Sequence, residues 1–311
     1  MTGLSILVTQ FLMEKIYCLN IIKNSLFKII ITYLLALLPV LCFNATAQNI
    51  AITDSTNVQG IKADSTFKYL KTIPGSYSYL DVDVLDNIYL ITEKNQLKKI
   101  RANGDSLAVF NDVKKFGNPT LLDVSNPLKL LLYYKNFSTV IILDRFLAVR
   151  NTINFRKQNI FKVKTLATSY DNNIWIFDEQ NVSLKKINDE GKVLNETLDL
   201  RQLLDTVPDP NQIIDKNNFV FLYDEKRGFY IFDYYGSFKN NLPFLNWKHI
   251  AVYGNKLMGF VGDTFYNYEI NSFNVKSYKL PAFFKNYIDI KTMNGKIYLL
   301  KKEGVEIYDL L

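Results

Sequence analysis

The chain has 311 residues, 48% of them hydrophobic and 14% aromatic, with 37 Lys and Arg against 30 Asp and Glu for a formal net charge of +7. That apolar content excludes a disordered chain, and the close interleaving of both signs, with no dense basic stripe, argues against a nucleic-acid partner. One histidine and two cysteines are too few for a metal site built from clusters of those residues.

In chain order, the first feature is a leader. Lys23 and Lys28 precede an apolar run over 29–43, and Asn44, Ala45, Thr46 and Ala47 follow it. A basic region, an apolar stretch and a small-x-small site make residues 1–47 a secretory signal peptide cleaved after Ala47. The expected location is periplasmic or secreted. The run falls short of the ~20 apolar residues of a membrane span, so the membrane is touched only if the leader is retained as an anchor. The start is Met1 or Met13, because Met13 opens a leader of ordinary size. Leu41 before Cys42 does not fit a lipoprotein signal. Cys18 and Cys42 both lie in the leader, which leaves the mature chain without disulfide or thiol chemistry. Residues 48–66 are polar and read as a flexible lead-in.

From about residue 67 the sequence repeats. Apolar strands over 87–91, 128–132, 173–177, 219–223, 256–260 and 296–300 each follow a turn rich in Asn, Asp or Gly, residues that tolerate the positive φ of tight hairpins. A second strand follows each, over 96–100, 139–143, 183–187, 228–232, 264–268 and 304–308, so the unit recurs about every forty residues. Gly104, Gly191 and Gly236 stand four residues beyond three of these strands. Short strands at this density and period predict an all-β fold: a six-bladed propeller of four-stranded antiparallel blades over 67–311. The last copy ends directly after its third strand. The missing fourth is expected from residues 67–73, whose pairing with the last blade closes the ring and leaves no long open edge.

Two blades carry a resemblance. Asn-Ile-Tyr-Leu-Ile at 87–91 with Leu-Lys-Lys-Ile-Arg-Ala-Asn-Gly-Asp at 97–105, and Asn-Ile-Trp-Ile-Phe-Asp at 173–178 with Leu-Lys-Lys-Ile-Asn-Asp-Glu-Gly-Lys-Val-Leu at 184–194, resemble blades of NHL-repeat-type and related six-bladed propellers of bacterial exported proteins. The resemblance implies a fold and nothing catalytic, since that architecture hosts unrelated functions.

Chemistry is sparse. His249 stands beside Trp247 and reads as a packed or edge histidine; no Gly-x-Ser-x-Gly elbow accompanies it. Asp83 and Asp123 each lie five residues before an opening strand, with Ser169 at the matching place, so these three are expected to line the central channel, where paired carboxylates could bind a cation or share acid–base work. The joints between blades pair rings with cations: Lys114, Lys115 and Phe116; Phe155, Arg156 and Lys157; Phe244, Trp247 and Lys248; Phe283, Phe284 and Lys285. Such pairs hold anionic or sugar-bearing ligands and anchor protein contacts, or else the rings plug the gaps between blades. The joint over 198–210 carries helix-like apolar spacing ended by proline, suited to covering the channel mouth or to packing on blade three. The expected function is a non-catalytic, monomeric binding or scaffold propeller that holds a protein, peptide or glycan on its blade-joint face, with no cofactor, no metal and no catalytic residue. The alternatives are a propeller-class lyase or hydrolase acting through channel carboxylates, and a membrane-anchored periplasmic sensor.

Overall fold

A computed structural model describes residues 67–111, 113–284 and 286–310; the expected leader and lead-in, and Lys285, lie outside them. The chain forms six four-stranded antiparallel sheets, each built from consecutive strands except the last. Blade one comprises Tyr77–Val82, Ile88–Thr92, Leu97–Ile100 and Ser106–Phe110. The innermost strands of the next five blades are Leu121–Asn126, Val163–Thr168, Gln212–Lys216, Lys248–Tyr253 and Asp289–Met293. The arrangement is a six-bladed β-propeller.

The ring closes as the incomplete last repeat requires. Phe67–Pro74 pairs antiparallel with Gly304–Leu310, from Phe67 opposite Leu310 to Pro74 opposite Gly304, with a bulge between Tyr69 and Lys71. Gly304 marks how close the two strands come. A Cβ there would stand 2.1 Å from the Ile73 carbonyl oxygen. Ile73 then packs with Leu80, Ile88, Tyr298 and Val305 in one cluster that joins blades six and one. At the outer rim, Phe67 meets Phe284 edge-on at 4.8 Å and Tyr69 meets Tyr308 at 5.6 Å. Below, Lys296 reaches Asp86 at 2.6 Å, and the Asn294 amide donates to Asp86 and to the Val84 carbonyl.

The core lies between blades. Middle strands face a neighbouring sheet on each side, so every residue of Ile88–Thr92, Lys129–Tyr134 and Ile174–Asp178 is buried. This explains their continuous apolar runs, where a one-sided sheet would alternate. Outermost strands such as Val193–Glu196 are mostly exposed.

The joint over 198–210 forms one helical turn, Leu200–Leu203, capped by the Asp199 carboxylate. Leu200 is fully buried in the cluster between blades three and four. The turn therefore plugs the blade flank, while the channel mouth is walled mainly by the innermost strands, with Asn211 at the end of this joint reaching it.

Asp224, in a turn of blade four, accepts from the Asp209 and Lys226 backbone amides and from Arg227 at 2.8–2.9 Å. Burial alone raises its pKa, but these donors outweigh it and hold the carboxyl below the usual range. A depressed folded value means stability present above the ordinary pKa of ~3.9 and lost as pH falls through the lower one. Melting temperature followed below about pH 4 is expected to fall less steeply for Asp224→Asn than for the unaltered protein; equal slopes would remove Asp224 from the acid limb.

Candidate functional site: the mouth of the central channel

The innermost strands alternate, as a strand with one face on a core and one on a cavity must. Leu80, Leu122, Leu166, Ile213, Ile250 and Ile290 are buried between blades. The residues on either side of them turn to the channel. Strand register sets Asp81, Asp123, Ala167, Ile214, Ala251 and Lys291 at one level, opposite Tyr89, Leu131, Trp175, Phe221, Met258 and Tyr298. These form the channel's waist. A cavity of 320 Å³ opens from it towards the blade joints and one of 160 Å³ towards the opposite face, with Asp81, Asp123, Ala167, Gln212, His249 and Lys291 lining both.

This register corrects the expected match of Asp83 with Asp123. Asp123 stands level with Asp81, because the first hairpin of blade one turns over residues 83–87 whereas that of blade two turns tightly after Asn126. Counting back from Leu128 therefore lands two residues off. Asp83 is a turn carboxylate at the far rim, where it lines the 160 Å³ cavity as expected of a channel residue, two positions beyond the level of Asp123. It accepts from the Leu85 and Asn87 amides at 2.9 Å, from the Asn87 side chain at 2.8 Å and from the Tyr89 hydroxyl at 2.9 Å. Ser169 holds the corresponding turn position and donates to Asp215 at 2.9 Å. Asp123 does face the channel, with its carboxylate accepting from the Ser125 and Thr168 amides.

The charged groups at the mouth come from four blades. Lys291 approaches Asp81 at 3.6 Å and lies 5.8 Å from the centre of the Tyr79 ring. Tyr79 donates to the Leu122 carbonyl at 3.1 Å. His249 Nδ1 lies 2.7 Å from an Asp289 carboxylate oxygen, bringing blade five to blade six. His249 sits at a bulge between Lys248 and Ala251 with φ of +51°, a left-handed conformation uncommon for this residue type and typical of places where a strand re-aims a side chain. Sequence reasoning, which placed His249 against Trp247, missed this turn into the channel.

Electrostatics here are set by burial and crowding. Asp81 and Lys291 face the lumen yet lie deep in the protein mass. Burial raises the Asp81 carboxyl, and Asp123 and Asp289 add to it, so Lys291 only partly offsets the rise. Burial works against the Lys291 ammonium, but Asp81, Tyr79 and Asp289 outweigh it and hold it well above the usual lysine range. Among the described residues no group of three or more His, Cys, Asp or Glu side chains could hold a metal ion.

The ring-and-cation sets at the joints divide between core and surface, though Lys115 holds its ammonium 4.9 Å from the centre of the Phe116 ring. Phe155, Trp247 and Phe284 are buried, and Phe116 and Phe244 are half-buried against core clusters. Lys115, Arg156, Lys157 and Lys248 face water, the last paired with Glu225 at 2.6 Å. Phe283 is exposed but lies over Tyr308 at 5.5 Å. Most of these rings fill the wedge between diverging sheets, where apolar burial stabilises most, while Trp247 and Lys248 also line the cavity at the channel mouth. The main chain of Lys114 continues the helical turn Val113–Phe116.

Solved structures share this architecture. The chain resembles a streptogramin B lyase at 16% identity and TM-score 0.52, over 75% of this chain and 78% of that one. It resembles a catalytically inactive histidine-to-alanine variant of virginiamycin B lyase from Staphylococcus aureus, with quinupristin, at 14% identity and TM-score 0.51, over 75% and 80%. It also resembles the WD40 domain of Pan2 from Neurospora crassa at 9% identity and TM-score 0.55, over 81% and 84%. The likeness is one of fold. No protein-family model and no curated protein matches the chain.

Proposed function

We propose that this chain is a non-catalytic binding propeller whose ligand enters the channel mouth on the blade-joint face. The observation that carries the reading is a 320 Å³ cavity there, walled by Tyr79, Asp81, Asp123, Gln212, His249 and Lys291, a convergence of polar and charged groups typical of ligand sites. Of the expected joint residues, Trp247 and Lys248 line this cavity, so the reading keeps them at its wall. The volume suits a small polar molecule or one or two side chains of a peptide. The exported setting and the kinship with NHL-type propellers rest on the leader pattern and on the motifs of blades one and three; N-terminal sequencing of the mature protein checks the leader.

Ala167 lines the waist and carries only a methyl group, so Ala167→Trp fills the channel. With a randomised tetrapeptide library, the unaltered protein is expected to retain a defined subset and Ala167→Trp to retain none, with both melting within a few degrees. Equal retention by the two would place binding elsewhere.

A second reading, a propeller-class enzyme, is favoured by the His249–Asp289 pair, an arrangement able to orient an imidazole as general base. The structural neighbours include lyases, which supports a fold capable of such work and no particular reaction. Turnover of a bound peptide that His249→Asn abolishes without loss of binding would favour it; binding with no turnover removes it.

A further inference from the structure

The channel charges also point to what the mouth takes. Asp81, Asp123 and Asp289 gather around a single lysine. Lys291 is shared with Asp81, and Asp289 is engaged by His249, whereas Asp123 has only backbone amides for company. These three carboxylates outnumber Lys291 by two, and Lys248, the other lysine of the cavity wall, is paired with Glu225; the excess lies within low-dielectric walls that focus its field. The chain itself supplies a tethered example of the fitting group, the Lys291 ammonium beside Asp81 and the Tyr79 ring. At the back of the cavity the Tyr223 hydroxyl is buried and lines the wall without a well-formed hydrogen bond, the Trp247 backbone lying nearby. A buried hydroxyl in that state is costly unless something occupies the space before it.

We infer that the channel mouth binds an organic cation, a primary ammonium or guanidinium group that enters alongside Lys291 and is held by Asp123 and Asp81. The chemistry is shared by a free alkylamine and by a Lys or Arg side chain of a peptide. The inference rests on the channel-mouth reading and narrows it from any polar ligand to a cationic one.

The sole histidine of the chain lies in the cavity wall, so its imidazole proton resonances report on the mouth without ambiguity. The probes are agmatine, for a free amine, and the acetylated, amidated tripeptides Gly-Arg-Gly and Gly-Glu-Gly, at about pH 8, where an ordinary imidazole is neutral. Agmatine or the Arg peptide, or both, is expected to shift the His249 resonances, and which of them binds more tightly identifies the source. The Glu peptide is expected to leave them unmoved. Asp123→Asn should weaken the cation about tenfold, and Lys291→Met, which removes the competing ammonium at nearly constant volume, should strengthen it about tenfold. Melting curves confirm that both variants fold, and the opposite signs of the two effects cannot come from general damage. Preference for the Glu peptide, or weakening by Lys291→Met, overturns the cation inference and leaves the mouth as a binding site. Silence of His249 towards every probe at millimolar concentration overturns both.

Discussion

A chain beginning at Gly75 is expected to be unfolded or aggregated at room temperature. It lacks Phe67–Pro74, whose backbone pairs along the whole of Gly304–Leu310, and it loses Ile73 from the cluster that welds blade six to blade one. Burying one such side chain is worth ~1.5–3 kcal/mol and each net hydrogen bond ~0.5–1.5 kcal/mol. Several of each disappear together, so the loss exceeds ~5 kcal/mol, comparable to the whole stability of many domains at ~5–15 kcal/mol. The exposed edge of Gly304–Leu310 would in addition pair with other copies. Thermal unfolding and light scattering of the shortened chain check this. A soluble monomer melting where the intact protein melts would mean that closure contributes little. Gly304→Ala tests the same seam more gently, since its Cβ would press on the Ile73 carbonyl at 2.1 Å.

Trp247→Ala is expected to cost ~3–5 kcal/mol, as for other large buried side chains. The indole lies stacked on Phe244 at 4.8 Å and 13° and on Tyr266 at 5.6 Å and 24°, with Phe229 edge-on at 5.9 Å. Gly259 is part of the same fit: a Cβ there would stand 2.5 Å from the indole ring. Three rings and a glycine from blades four and five and the joint between them thus converge on one side chain. Truncating it leaves a cavity that β-sheet backbone cannot collapse to fill. Lys248→Ala, by contrast, breaks one exposed ion pair with Glu225, worth ~0–1 kcal/mol. Urea unfolding of the two variants separates the roles. A large drop for Trp247→Ala assigns the ring to the core; a drop below ~1 kcal/mol would return it to the surface set.

The architecture was legible because closure and stacking leave a period in the sequence. Middle strands such as Ile174–Asp178 are walled on both sides, and that double burial writes a run of four or five mostly apolar residues after an Asn- or Gly-containing turn in every blade. Innermost strands leave a fainter mark. Tyr79, Asp81, Asp289 and Lys291 alternate with Leu80 and Ile290, a period of two that marks one face as lumen; following that parity would have found Asp81 and Lys291 directly. Asp83 and Asp123 were aligned by counting from strand starts, and unequal hairpins defeat such counting. His249 was hidden for a different reason. Its entry into the channel depends on a bulge and a left-handed backbone, and neither glycine nor asparagine flags it at that position. The joint rings were harder to sort, because an aromatic beside a lysine looks alike whether it fills a wedge between sheets, as Phe155 does, or also walls the channel mouth, as Trp247 does.

The proposed ligand site is the channel mouth, Trp247 and Lys248 of its wall included, and not the outward-facing rings and cations of the other blade joints. The direct measurement compares probe affinity, read from the His249 resonances and from calorimetry, among the unaltered protein, Ala167→Trp, and a surface variant combining Lys115→Ala, Arg156→Ala, Lys157→Ala and Phe283→Ala. Loss of binding in the plugged channel with full affinity in the surface variant is the predicted result. Full affinity with the channel plugged, and loss with the joint residues removed, would contradict it.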